Sequence, residues 1–112
     1  MPIECSILPY YHFGKLEITL YPDGDGKFET TDVEIRKKLG WPFSDKYETV
    51  YRNSWKMSEL KKLVTTVALQ DIFPELMHHL SQRELENLNS DKGTLLELLN
   101  DPWHKKAHES TS

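Results

Sequence analysis

The chain has 112 residues, a length that suits one compact domain. A hydrophobic fraction of 38% and an aromatic fraction of 11% exclude a disordered chain, and no apolar run approaches the ~20 residues that span a bilayer. The formal charge of −4 is mild, and the single cysteine, Cys5, excludes an intramolecular disulfide; with no basic start leading into an apolar stretch, the expectation is a soluble, cytoplasmic protein.

In chain order, Ile3, Cys5 and Ile7 alternate with Glu4 and Ser6, the period of a half-buried strand, and Pro9 ends it. Tyr10 to Phe13 reads as an aromatic turn closed by Gly14. Leu16, Ile18 and Leu20 alternate with Glu17, Thr19 and Tyr21, the clearest strand signal in the chain. Pro22 to Gly26 is turn chemistry, and Lys27 to Thr30 is expected to return as a third strand with Phe28 inward. An antiparallel meander follows from these elements.

Thr31 and Glu34 have the spacing of a capping box, which predicts a short helix over Asp32–Leu39 with Val33, Ile35 and Leu39 incompletely buried and a stop at Gly40 and Pro42. Trp41 to Trp55 is the least periodic stretch, with Glu48 to Tyr51 a candidate strand in an ordered loop. From Ser54 to Phe73 one helix is expected to organise the fold. Met57, Leu60, Leu63, Val64, Val67 and Ala68 fall on one stripe, and an isolated helix of that length is marginal until its stripe is buried. Pro74 and Glu75 suit the first turn of a further helix with Leu76, Met77 and Leu80 inward.

Ser81 and Glu84 form a second capping box opening Gln82–Leu88, with Leu85 and Leu88 as its apolar contacts. Asn87 to Gly93 reads as a linker. A last helix, capped by Asp91 or Thr94, carries Leu95, Leu96, Leu98 and Leu99 and ends at Pro102. The expected organisation is a single domain over residues 1–104 and a polar, fraying tail over 105–112. The fold class is α+β, a small N-terminal antiparallel sheet packed against a helical C-terminal layer.

Four patterns bear on function. Tyr21 to Asp32 resembles the calcium loops of EF-hand and dockerin domains, with Asp23, Asp25, Gly26, Glu29 and Asp32 at the third, fifth, sixth, ninth and twelfth positions. The resemblance implies calcium held by Asp23, Asp25, Glu29 and Asp32, followed by an exiting helix. Tyr21 stands where such a loop places its first carboxylate, so a hairpin turn without metal is the preferred reading. His104 and His108, beside Glu109, and the neighbours His78 and His79 do not complete a ligand set, and no metal or other cofactor is expected. Cys5 on an apolar strand face reads as an inert thiol, and no glycine-rich loop joins a strand to a helix, so a non-enzymatic role is expected.

The fourth pattern is the middle of the chain. Between Arg36 and Lys62 eight basic residues, Arg36, Lys37, Lys38, Lys46, Arg52, Lys56, Lys61 and Lys62, face Asp45, Glu48 and Glu59. Arg36 to Lys38 also fit the negative end of the helix expected before Gly40. Aromatics are interleaved among these charges. The leading expectation is a protein-protein interaction module docking through Trp41, Phe43, Tyr47, Tyr51 and Trp55 with a rim of Lys37, Lys38, Lys46 and Arg52. The alternative is nucleic-acid binding through the same 36–62 segment, which the overall acidity disfavours.

Overall fold

The computed structural model describes residues 8–24, 27–40 and 46–102 and the backbone of His108–Glu109. The strand expected around Cys5, Asp25 of the calcium pattern, Trp41 and Phe43 of the docking set, and His104 lie outside the described residues. Strands β1 (Tyr10–Phe13), β2 (Leu16–Tyr21), β3 (Thr30–Lys38) and β4 (Tyr47–Lys56) form an antiparallel meander. Helices α1 (Met57–Thr66), α2 (Leu69–Ile72), α3 (Gln82–Ser90) and α4 (Lys92–Asn100) follow, with a 3₁₀ turn over Pro74–His78. The fold is α+β, as the pattern predicts. The polar tail, expected to fray, includes β5 (His108–Glu109), which pairs parallel with β1 and makes the sheet order β4-β3-β2-β1-β5.

Strand pleating sends alternate side chains to opposite faces, and here one face is apolar. Tyr11, Leu16, Ile18, Leu20, Val33 and Ile35 are each exposed by 1% or less. Register places Ile18 opposite Ile35 and Leu20 opposite Val33. Against them pack Leu60 and Val64 of α1, Leu69, Phe73, Leu76, Leu85 and Leu88, and Leu95, Leu98 and Leu99 of α4, all buried.

Lys27 to Glu29, expected in a third strand, lie outside the strands, and the candidate strand Glu48–Tyr51 extends to Tyr47–Lys56. Three further elements differ from expectation. Thr31 to Lys38 is strand β3, not a helix. Thr31, Val33 and Ile35 are buried while Asp32, Glu34 and Arg36 are half-buried, a period of two that a helix, turning about 100° per residue, cannot present on one side. The two residues read as a capping box bond across strands instead: Thr31 Oγ1 donates to the Tyr21 carbonyl at 3.0 Å, and Glu34 accepts from Tyr21 and Thr49. Arg36 to Lys38 therefore meet no helix dipole. Tyr10 to Phe13 is strand β1 rather than a turn, with Tyr11 buried and the reversal made at Gly14, whose φ is 56°.

The long helix expected over Ser54–Phe73 starts only at Met57, because Ser54 to Lys56 belong to β4, and it breaks at Val67. The last turn of α1 carries Thr65 and Thr66, whose hydroxyls bond back to the carbonyls of Lys61 and Lys62 at 2.8 and 2.9 Å. The freed Val67 carbonyl accepts from Lys92 Nζ at 2.8 Å, and the Leu69 N–H donates to Asn89 Oδ1 at 2.7 Å. Those bonds sew the break to the α3–α4 junction. Two corrections are smaller: Met77 is 55% exposed rather than inward, and of the expected Asn87–Gly93 linker only Asp91 lies between helices. The Ser81–Glu84 capping box is present in full. No helix among the described residues is long and apolar enough to cross a membrane.

Candidate functional site

The helices cover one face of the sheet, and the residues on the other face form a continuous polar and aromatic layer. Tyr10 and His12 of β1, Glu17, Thr19 and Tyr21 of β2, Asp32, Glu34, Arg36 and Lys38 of β3 alternate with the core residues, and Thr49, Arg52 and Ser54 continue the layer on β4. A bulge at Val50 sets the phase on β4: Ile35 pairs with Tyr51 and Arg36 with Thr49, so Val50 and Tyr51 both turn inward and Arg52 turns out. Without that extra residue Arg52 and Thr49 would not share a face.

The layer is locked by cross-strand bonds. Tyr21 Oη donates to Glu34 Oε1 at 2.6 Å, and Thr49 Oγ1 donates to the other oxygen of the same carboxylate at 3.1 Å. The Tyr21 bond, more than any other cause, lowers the proton affinity of Glu34 and raises that of the phenol. Arg52 stacks its guanidinium 5.1 Å above the Tyr21 ring and reaches Asp32 at 3.8 Å, while Ser54 Oγ donates to Asp32. Arg36 Nε donates to Glu17 Oε1 at 3.2 Å and Arg36 Nη2 bonds the same oxygen. The Arg36 guanidinium lies 4.4 Å from the centre of the Tyr47 ring, with Lys38 Nζ at 6.0 Å from that ring. Three cations, Arg36, Lys38 and Arg52, thus stand among three carboxylates, Glu17, Asp32 and Glu34.

The docking set expected from sequence divides between two faces. Tyr51 is 8% exposed; its ring meets Phe73 edge-on at 4.9 Å, and its hydroxyl accepts from Trp55 Nε1 at 2.9 Å. Trp55 is half-buried against the core, 6.5 Å from Phe73. Tyr51 is therefore a core aromatic rather than a docking residue, and Trp55 packs half-buried against the same core, because the bulge and the even spacing of 51, 53 and 55 point both at the helices. Tyr47, Lys38 and Arg52 do share the open layer. Lys37 and Lys38 stand at the end of β3, and exposed Lys46 accepts the Leu39 N–H at its carbonyl, 2.8 Å away. Glu17, Tyr21, Glu34 and Arg36 belong to the layer and are absent from the docking set expected from sequence. The period of two in β2 announces the first two, and the misread helix conceals the others.

The calcium pattern is arranged as a hairpin connection. Asp23 N–H donates to the Lys27 carbonyl at 2.9 Å and Lys27 N–H returns to Asp23 Oδ1 at 3.1 Å. The residues that would open an exiting helix are strand β3, and Asp32 faces Ser54 and Arg52. Among the described residues no group of three or more histidine, cysteine, aspartate or glutamate side chains is placed to hold a metal ion. Comparison with family models, with curated proteins and with solved structures finds no match for this chain.

Proposed function

We propose that this protein is a non-enzymatic interaction module that docks the open face of its sheet onto a protein partner. The observation that carries this reading is the layer of Tyr21, Tyr47, Arg36 and Arg52, held in place by cross-strand bonds before any partner arrives. Tyrosine and arginine concentrate binding energy at protein interfaces, and side chains already fixed lose little conformational entropy on docking. The mixed signs indicate the partner's chemistry. Each guanidinium has a carboxylate beside it, so the face offers no uncompensated positive field to a polyanion, and it suits a folded protein surface with its own alternating charges. Among the described residues the groups with a resolved shift in proton affinity (Tyr11, Tyr21, Glu34, Arg36 and Glu84) each owe it to burial or a structural bond.

The test is capture of partners from native lysate by the full chain and by two variants. Arg52→Ala with Tyr47→Ala alters the open face. Glu75→Ala alters the exposed 3₁₀ turn on the helical layer. The partner is expected to be lost with the first and kept with the second, with an affinity loss of at least ~2 kcal/mol and a nearly unchanged melt. Equal capture by both removes the open face from the reading. A captured RNA whose binding falls steeply with salt assigns the function to nucleic acid instead.

A further inference from the structure

The middle of the open face carries its charges in a particular order. Along β3 the residues on that face are Lys38, Arg36, Glu34 and Asp32, two cations followed by two carboxylates on one strand. The neighbouring strands flank this row. Glu17 and Thr49 stand beside Arg36, and Thr19 and Arg52 stand beside Glu34. A strand with its cations at one end and its anions at the other is complementary to a copy of itself turned end for end.

The bonds within one copy orient the two central groups without saturating them. Arg36 uses two of its five N–H groups on Glu17, and its side chain stays 37% exposed with that pair made. Glu34 accepts one bond on each oxygen, from Tyr21 and from Thr49, so about two of its four lone-pair sites remain. Among the described residues no ion pair joins Glu34 or Lys38 to a group of opposite charge.

We propose that the open face receives the open face of a second copy of this chain, about a twofold axis that crosses β3 between Glu34 and Arg36 at right angles to the strand. The proposal rests on the open-face docking reading and names its partner. Two sheets packed face to face lie ~10 Å apart with their strands nearly aligned. This axis lays one β3 over the other in reverse, and sets Arg36 of each copy against Glu34 of the other, with Lys38 against Asp32 at the rim. In a twofold interface each such contact occurs twice. On the flanking strands Arg52 meets Thr49 and Glu17 meets Thr19, so no like charges are opposed. The other aligned twofold runs along the strand and stacks every charge of the row on its own counterpart, which repels. Four strands ~4.8 Å apart and about six residues long span roughly 20 × 20 Å, a face of the small, reversible class with dissociation constants in the micromolar range.

Sedimentation velocity on the full chain from about 1 µM to about 1 mM is expected to show a monomer–dimer equilibrium. Arg36→Glu and Glu34→Arg each oppose like charges twice across the axis, so either alone is expected to weaken self-association at least ~tenfold. Mixed in equal amounts, the two variants oppose only unlike charges at the centre and are expected to associate within about threefold of the parent. Amide dispersion in NMR spectra checks that both are folded. If either is not, Lys38→Glu mixed with Asp32→Lys makes the same comparison at the rim. A parent that stays monomeric throughout, or a mixture that associates no better than its separate components, overturns the second copy as the partner. The docking reading is judged apart from this: a captured protein lost with Arg52→Ala and Tyr47→Ala keeps it, and one retained removes it as well.

Discussion

Tyr11 is 1% exposed, and its hydroxyl donates to Asp91 Oδ2 at 2.6 Å, tying β1 to the junction of α3 and α4. Burial first, and the Asp91 carboxylate second, raise the proton affinity of this phenol far above its ordinary value. A folded-state pKa above the unfolded one means a stabilisation fully present below pH ~10 and lost as pH rises beyond it. Tyr11→Phe is expected to cost about 1–2 kcal/mol at neutral pH, with Asp91 Oδ1 still accepting from Thr94 at 3.2 Å. The same variant is expected to flatten the alkaline limb of a stability profile followed by melts and by phenolate absorbance; an unchanged limb would place the alkaline transition elsewhere. Nothing in the sequence separates Tyr11 from Tyr10, because a strand of four residues offers only two positions per face and the following glycine looks like part of a turn. Tyr51 and Trp55 were illegible for a related reason: a one-residue bulge reverses which alternate positions face the core, and bulges leave no reliable mark in a single sequence.

At the scale of elements, legibility followed the length of the apolar pattern. The stripe of α1 and the Ser81–Glu84 cap were readable because several apolar positions on successive turns, or two reciprocal bonds, had to agree. β3 was misread because Thr31 and Glu34 also fit the opening of a helix, and local spacing cannot tell a hydroxyl that caps an N–H from one that bonds the next strand. The alternating β-branched residues Thr31, Val33 and Ile35 carried the correct signal. Leu60→Ala in α1 and Ile35→Ala in β3 are each expected to lower stability by about 2–5 kcal/mol, since both side chains are 2% exposed or less. Ser81→Ala, which removes one half of the capping box, is expected to cost about 1 kcal/mol. Denaturant midpoints on the variants check all three, and a Leu60→Ala melt within ~2 °C of the parent would contradict the packing of α1 on α4.

At the scale of the whole molecule, the charge distribution separates folding from association. The ion pairs of the open face sit on partly exposed side chains, where each contributes ~0–1 kcal/mol and is screened by salt. Stability is therefore expected to change little between low and moderate ionic strength. On the proposed docking reading association is different, because an acidic partner would be steered toward Lys37 and Lys38 at the end of β3 and Lys46 beyond them. Lys37→Glu with Lys38→Glu reverses two charges there without touching the core. For an acidic protein partner the double variant is expected to slow association by ten-fold or more at low salt, on the scale that steering covers, while dissociation from the open face stays within about twofold. The difference in association is expected to collapse as the Debye length falls from ~10 Å at 0.1 M to ~3 Å at 1 M. Stopped-flow rates over a salt series decide the matter. If the variant instead dissociates faster at every salt concentration, the lysines are anchors inside the interface and the docking face extends around the end of the sheet. If its log-log salt slope for an RNA falls by about two, the lysines contact phosphates and the partner is a nucleic acid.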